Sequence, residues 1–445
     1  MTTSATLNPP LPPDQETTAG NYFISNYPPF SFWTPEAVPE AMQVLDRAPS
    51  PGIPLGLYIH IPFCRKRCHF CYFKVYTDKN SAEIKAYNHA VSRELSLYAG
   101  KPFMGGRTPN FVYFGGGTPS YLSAQQLLTL TSELKDLLPW DRAEEVTFEC
   151  EPGTLTESKL LAIREMGVTR LSLGVENFDD HILEINGRAH RSAEIRRTYA
   201  CARSLGFPQI NIDLIAGMVE ETGENWRRCI DQTLELQPDS VTIYQMEVPY
   251  NTTIYKQMKA EGKLAAPVAG WDIKRRWVRE AFEELERDGY EVGSAYTAFK
   301  KSSNAGFRYR DELWRGADLL SLGVASFSHI QGVHFQNEKE FGTYLAQIEG
   351  GRLPIHRACH LSCEERLIRE MILQFKLGRL NPGYFRAKFD VDILTRFARQ
   401  FRDLEEMGAL EMGQEEVQLA RDWHLRVDSL LERFFLPHHQ HARYT

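Results

Sequence analysis

From residue 55 onward the sequence repeats one alternation, a short β-branched or aromatic run followed by an amphipathic helical stretch. The runs are LGLYIHI, NFVYFGG, EVTFECE, RLSLGVE, QINIDLI and VTIYQME. Between them stand AEIKAYNHAVSRELSLYAG, AQQLLTLTSELKDLL, ESKLLAIREMG, AEIRRTYACARSLG and NWRRCIDQTLELQ. These carry apolar residues at helical spacing, and several end near glycine. Six such βα units in series imply an α/β fold, a parallel sheet with helices outside. Two architectures satisfy that pattern: a partial (β/α)6 TIM-like barrel or a doubly wound sheet.

In both, chemistry gathers at the carboxyl ends of the strands. The sequence places its polar and glycine residues there. The first strand runs into IPFCRKRCHFCYFK, which holds Cys64, Cys68 and Cys71 as Cys-x3-Cys-x2-Cys. The second ends in FGGGTP (Phe114 to Pro119), and the third in Glu149-Cys150-Glu151-Pro152. The fourth leads into Glu176-Asn177-Phe178 and then GRAH (Gly187 to His190). The fifth ends in Asp213 with Ala216-Gly217 beyond it, and the sixth near Tyr244-Gln245-Met246. The strand bodies read as apolar.

Outside this core, residues 1–20 are rich in Pro and Thr and are expected to be disordered, while 21–50 carry the aromatics of a packing arm. The core spans 51–250, an extension covering the site 251–354, a C-terminal module 355–436 and a tail 437–445. The module reads helix–helix–wing–helix: EERLIREMILQFKLG, TRFARQFRDLEEMG, a hairpin in ALEMGQEEVQLA and a last helix WHLRVDSLLERFF. Such a mostly helical, winged-helix-like shape can bind DNA, but its recognition region (DLEEMG, GQEEV) is acidic, so packing is expected. The tail PHHQHARYT offers metal ligands; a frayed end is the plainer expectation.

A net charge of -7 and a pI near 6.1 give no global pull toward nucleic acid. No run approaches the ~18 apolar residues that would span a membrane. The N-terminus lacks a basic segment followed by an apolar one, so a reducing cytoplasm is expected, where eight cysteines need not pair. Cys150, Cys201 and Cys229 read as small buried hydrophobes. Cys359 and Cys363 form a lone Cys-x3-Cys read as structural, with a second metal site as the alternative.

The three-cysteine claw needs its own account. A closed structural zinc takes four ligands, and disulfides take an even count. A [4Fe–4S] cube normally takes four thiolates, so three leave one iron open to a small chelate, such as the amino and carboxylate groups of a methionine derivative. Arg65, Lys66 and Arg67 are placed to favour the thiolate state. A zinc with a remote fourth ligand, or three inert thiols, are the alternatives. In FGGGTP, successive glycines let backbone N–H and C=O groups approach a ligand. Glu149 and Asp213 suit ribose hydroxyls or an ammonium group, though as bare residues each equally serves as a helix cap or surface charge.

Cys-x3-Cys-x2-Cys followed by GGGTP in a βα series resembles the radical S-adenosylmethionine (SAM) enzymes. More narrowly, YIHIPFC, FGGGTPS, FECEPGTL, GVTRLSLGVENF, GRAH and NIDLIAG resemble the oxygen-independent coproporphyrinogen III oxidase group, with its haem chaperones and class C methyltransferases. The resemblance covers about residues 55–436. It implies a partial barrel in which Cys64, Cys68 and Cys71 bind a [4Fe–4S] cluster that chelates SAM. Tyr58, Gly116 and Glu149, with Phe327 added, match positions that contact this SAM. Phe70, Gly117, Thr118, Glu176, Arg188 and Asp213 match positions implicated in holding a second SAM in several members. The implied partners are a conjugated small-molecule substrate and reduced flavodoxin or ferredoxin as electron donor.

The departures bear on the subfamily. The oxidases continue their claw with a fourth cysteine where this chain has Phe73. The group's GVQ is GVE here, putting the carboxylate of Glu176, which only accepts hydrogen bonds, in place of an amide. GLPGQT becomes GMVEET (Gly217 to Thr222), and the chaperones' His-Asn-x-x-Tyr-Trp becomes Tyr309-Arg310-Asp311-Glu312-Leu313-Trp314. The missing fourth cysteine and the altered chaperone motif favour radical C-methylation of a tetrapyrrole, quinone or heteroaromatic. Next comes oxidative decarboxylation of coproporphyrinogen III, with Arg308, Arg310 and Arg315 as candidates for its propionates. Non-catalytic haem delivery comes third.

Overall fold

Six strands, β1 (Leu55–Ile61), β2 (Phe111–Gly116), β3 (Glu145–Cys150), β4 (Arg170–Glu176), β5 (Gln209–Ala216) and β6 (Ser240–Gln245), lie side by side in chain order, all parallel. The computed structural model describes residues 23–263, 266–303, 305–413 and 415–442; the stretch 1–20, expected to be disordered, lies outside them. After α1 (Val38–Leu45) in the N-terminal arm, the crossover helices are α2 (Ser81–Ala99), α3 (Ala124–Leu137), α4 (Glu157–Glu165), α5 (Asp180–Ile185), α6 (Ser192–Ser204) and α7 (Gly223–Leu236). Side chains of Asn80, Ser123, Thr156 and Thr222 accept backbone N–H groups at the starts of α2, α3, α4 and α7. Such caps satisfy donors that a helix start leaves orphaned, and so fix where each strand-to-helix loop ends.

The strands alternate strictly between two environments. Leu57, Ile59, Val112, Phe114, Val146, Phe148, Leu171, Leu173, Ile210, Ile212, Val241 and Ile243 form one buried cluster with the helices. Each such side chain contributes about 1.5–3 kcal/mol by leaving water. The opposite face is not apolar, a correction to the strand bodies as read from sequence. In register across it run Tyr58 and Tyr113, Glu149 and Ser172, and Asn211 with both Ser172 and Ser240. These polar groups satisfy one another. Asn211 donates to Ser172 Oγ at 3.0 Å and Asp213 Oδ1 at 2.9 Å, and its own oxygen accepts from Ser240 at 2.8 Å and Thr242 at 3.1 Å.

Six further strands extend this sheet at both edges, to twelve among the described residues. After α8 (Thr253–Ala260) and α9 (Trp271–Arg287), β7 (Tyr290–Val292) pairs with β8 (Thr297–Lys300), which runs antiparallel to β6. Beyond α10 (Arg308–Trp314), β9 (Asp318–Leu322) joins the far side of β1 in parallel. Then β10 (Phe327–Ile330), β11 (Val333–Asn337) and, after α11 (Phe341–Glu349), β12 (Ile355–His360) follow antiparallel. The strand order is linear from β12 to β7, so the sheet does not close on itself among the described residues.

The amino end of that face is plugged by the start of α10. The Glu145 carboxylate accepts the backbone N–H groups of Arg308 at 2.9 Å and Tyr309 at 3.1 Å. Gln209 donates to the Gly306 carbonyl at 2.9 Å, and the Arg170 guanidinium lies 4.1 Å from the Phe307 ring.

The C-terminal module has a second core. It comprises α12 (Cys363–Phe375), β13 (Arg379–Leu380), α13 (Pro382–Phe389), α14 (Ile393–Arg396), α15 (Ala398–Glu406), and the hairpin β14 (Leu410–Met412) and β15 (Val417–Leu419). The last helix expected from sequence is instead broken into α16 (Arg421–His424) and α17 (Asp428–Leu431). Tertiary hydrogen bonds compete there. The Leu425 carbonyl accepts from Gln245 at 3.0 Å, and Asp428 accepts from Lys376 and from the Ile24 N–H, both at 2.8 Å. The tail does not fray through its described part. His439 is buried, with Nδ1 2.8 Å from the Tyr27 hydroxyl.

Candidate cofactor site at the barrel mouth

The loop after β1 is fastened on several sides. Tyr76 N–H donates to Pro62 at 2.8 Å and Cys64 N–H to Tyr76 at 3.0 Å, closing the loop on itself. His69 ties its far side to the end of α5, with its N–H 3.0 Å from the Asn186 carbonyl and Nδ1 2.9 Å from that of Ile185. Ile254 N–H donates to His69 from α8 at 3.2 Å. Phe70 packs among apolar neighbours that include Ile182, Met246 and Ile254, and so forms part of the loop's floor.

Within this loop Cys64 is buried and Cys68 and Cys71 are half-buried. Thr118 donates to Cys64 Sγ at 3.3 Å, and Arg188 Nη1 to Cys68 Sγ at 3.2 Å. Burial pushes the Cys64 thiol up to about 12 and Cys71 up to about 11, and the neighbouring sulfurs add to both shifts. These two are therefore neutral thiols near pH 7 unless a soft cation binds them as thiolates. The cation on a sulfur is Arg188. Arg65 instead pairs with Glu151 at 2.6 Å and Lys66 is exposed, which corrects the expectation for these two, while Arg67, 3.0 Å from the Cys71 carbonyl, acts to lower the Cys71 thiol as expected.

The spacing of the sulfurs tests what they fit. They do not close as a set to within 4.8 Å of one another. Two sulfurs on one zinc lie at most about 4.6 Å apart, twice a ~2.3 Å bond. As they stand, the three thiols suit a group larger than a single ion, and thiolates are the ligands of iron–sulfur clusters.

The end of β2 reaches the claw only because it is glycine. Gly116 sits at φ 118°, and a Cβ there would lie 2.6 Å from the His60 ring; one on Gly117 would meet the Phe63 carbonyl at 2.9 Å and Cys64 Sγ at 3.0 Å. Gly116 N–H donates to Glu149 Oε2 at 3.2 Å, and the Tyr113 hydroxyl to Oε1 at 2.6 Å. Tyr58 stacks on Tyr113 with 5.8 Å between ring centres, and its hydroxyl lies 3.2 Å from His60 Nδ1.

Three carboxylates share the polar face near its carboxyl end. Burial, aided by mutual repulsion, raises Glu149 and Glu176 to about 7; burial also raises Asp213, against opposing pulls from Arg170 and Ser172. Glu176 stands at a register shift between β4 and β5 with φ 65°, a left-handed conformation that costs a non-glycine residue roughly a kcal/mol or more. Its carboxylate is 3.6 Å from Arg188 Nη2, which also donates to the Gly174 carbonyl at 2.7 Å. Cys64, Cys68, Cys71, Tyr58, Gly116, Gly117, Thr118, Glu149, Glu176, Arg188 and Asp213 are thus linked by the contacts of one mouth. Phe327 begins β10, and its ring meets Phe30 at 4.7 Å and Trp33 at 5.6 Å.

Sequence reasoning passed over Tyr113, His60, Arg170 and Tyr309. Tyr113 lies two residues before Gly115 of the FGGGTP run and His60 two after Tyr58, so period-two alternation exposes them. Arg308 and Arg310 are engaged away from the mouth, which corrects their expected role as propionate contacts. Arg308 pairs with Glu144 at 3.2 Å at the amino end, and Arg310 is buried against Asp311 at 2.7 Å; the Arg315 carbonyl accepts from Lys388.

Residues 58–232 match the family model of the Radical SAM superfamily. The chain carries a radical SAM domain. It is 27% identical over 416 residues to the oxygen-independent coproporphyrinogen III oxidase of Pseudomonas aeruginosa, with 88% of each chain covered. To the heme chaperone HemW of Bacillus subtilis it is 27% identical over 382 residues, covering 85% of this chain and 98% of that one. The solved coproporphyrinogen III oxidase HemN of Escherichia coli shares the fold, with TM-score 0.80 and 24% identity over 93% of this chain and 96% of that one. Over most of its length the chain is thus similar to coproporphyrinogen III oxidases and to HemW, and the Radical SAM match runs from β1 to α7.

Proposed function

We propose that the chain is a radical SAM enzyme acting on a flat conjugated molecule at the barrel mouth. The observation that carries this is the claw itself: three thiols, too widely set for one zinc, beneath a strand end that only glycine permits. Cys64, Cys68 and Cys71 would hold a [4Fe–4S] cluster. When bound and reduced, that cluster supplies the electron that cleaves SAM to a 5′-deoxyadenosyl radical. Around it, Gly116 and Gly117 present backbone to SAM's amino-acid end, and Glu149, held by Tyr113, accepts from its hydroxyls or ammonium group. Arg188 offsets negative charge at Cys68. Arg188 and Glu176, two of the second set of positions, lie 3.6 Å apart as an ion pair, which favours a reading with one SAM.

The substrate class follows from exposed aromatics. Phe73 is 50%, Tyr244 42%, Tyr250 49% and Phe327 37% exposed, and all four lie where strands β1, β6 and β9 hand over at their carboxyl ends. Aromatic faces offered to solvent suit a flat π-system. The similarity to oxygen-independent coproporphyrinogen III oxidases supports a tetrapyrrole and oxidative decarboxylation. Radical C-methylation is the second reading, favoured by Phe73 in place of a fourth claw cysteine. Reduced flavodoxin or ferredoxin is the proposed donor. The eight free cysteines support a cytoplasmic setting, and no described helix is long and apolar enough to cross a membrane.

Product analysis tests the reading. Anaerobic, reduced protein is incubated with SAM and coproporphyrinogen III, then with other conjugated acceptors. Deoxyadenosine with loss of carbon dioxide establishes the oxidase reaction; deoxyadenosine with S-adenosylhomocysteine establishes methyl transfer. Haem uptake without either product would overturn the enzymatic reading.

A further inference from the structure

We propose a second metal site, independent of the barrel mouth, for one divalent transition ion of the zinc class where the arm at Tyr27 and the turn at His438 and His439 meet α12. Glu365, His438 and His439 each offer one ligand atom, and these atoms lie within 4.8 Å of one another. His439 is buried, and its Nδ1 is 2.8 Å from the Tyr27 hydroxyl. Its Nε2 therefore faces Glu365 Oε1, at 3.6 Å. That gap is too long for an ordinary N–H···O bond. It is close to the roughly 3.4 Å that separates two ligands of one tetrahedral zinc with ~2.0–2.1 Å bonds.

The carboxylate is also oriented for the task. Its other oxygen, Oε2, accepts the Ser362 N–H at 2.7 Å in the capping box of α12, leaving Oε1 for the ion. The Tyr27 hydroxyl holds the far nitrogen of His439, the kind of outer contact that fixes a ligating imidazole. The exposed His438, its ring centre 4.0 Å from that of His439, completes three protein ligands and leaves a coordination position open to solvent. Two imidazoles and a carboxylate select zinc, cobalt, nickel or copper over calcium or magnesium, which take oxygen ligands. Cys359 and Cys363 are not in this set; Cys363 accepts from Arg366 at 3.1 Å. The ion would fasten the N-terminal arm, through Tyr27, and the C-terminal turn to the start of α12.

The test uses the untagged full chain with its iron in place. Zinc is titrated after mild chelation and counted per chain, and cobalt(II) serves as the optical probe. One zinc per chain is expected, with a rise in Tm. Cobalt should give d–d absorption without sulfur-to-metal charge transfer. His438→Ala, a change at an exposed residue, should lose both the zinc and the Tm rise, and Tyr27→Phe should weaken zinc binding about ten-fold. Equal zinc uptake by wild type and His438→Ala overturns the site. So does a thiolate charge-transfer band from cobalt in both, which would place the metal on cysteines.

Discussion

The two ends of the same six strands treat buried polar groups in opposite ways. At the amino end, Glu145 accepts two N–H groups from the start of α10, and Gln209 exchanges two hydrogen bonds with Gly306. Those polar groups are consumed by the fold. At the carboxyl end, carboxyls are held near neutrality by burial, two claw thiols are pushed up for the same reason, and a non-glycine residue sits in a left-handed conformation. His60 Nε2 is buried there with no hydrogen-bond partner among the described residues. Arg188 Nε and His190 Nδ1 are also without hydrogen-bond partners at this end, but so are Arg170 Nε and Arg310 Nη1 at the amino end, so orphaned atoms alone do not separate the two. What sets the carboxyl end apart is its gathering of buried carboxyls raised in pKa beside raised claw thiols.

That contrast is open to breaking. The largest effect is expected at the mouth. Glu149→Ala should raise the Kd for SAM about ten- to hundred-fold, the value of one or two hydrogen bonds to a charged group, while iron content stays unchanged. Unaltered affinity in a titration would remove Glu149 from the site. At the amino end the pattern should reverse. Glu145→Ala leaves two helix N–H groups without an acceptor and should cost about 2 kcal/mol in urea unfolding, with SAM affinity unchanged. A loss of SAM binding without a loss of stability would invert the comparison.

A smaller effect sharpens it through pH. Glu149 ionises near 7, raised from the usual carboxylate range chiefly by burial. If SAM is held by its charged form, affinity should grow as pH rises through 7, by about ten-fold between pH 6 and 8, and level off above. Glu149→Gln should flatten that dependence. A wild-type profile that is flat, or that falls with pH, would show that ionised Glu149 does not hold SAM.

The mouth was legible in the sequence because its residues cluster at strand ends within single βα units. The claw, FGGGTP and Glu149 each lie a few residues past an apolar run. The polar face was less legible, since Ser172, Asn211 and Thr242 are ordinary residues whose meaning comes from register across three strands. The amino-end plug joins positions over 160 apart, Glu145 to Arg308, and no local pattern announces such a contact. The arginines of α10 accordingly read as substrate contacts when they are parts of the plug. The broken last helix has the same origin: periodicity in WHLRVDSLLERFF is helical, but Gln245 and Lys376 draw off the Leu425 carbonyl and Asp428. Likewise PHHQH reads as a loose end until Tyr27, over 400 residues earlier, is placed against His439.

The central claim is that Cys64, Cys68 and Cys71 hold a cluster that cleaves SAM. Its most direct test is deoxyadenosine release by anaerobically reconstituted, reduced protein, measured beside Cys68→Ala. Wild type should be brown and release deoxyadenosine, and the variant should be soluble, colourless and silent. A colourless wild type, or a variant that keeps both chromophore and product, would contradict the account.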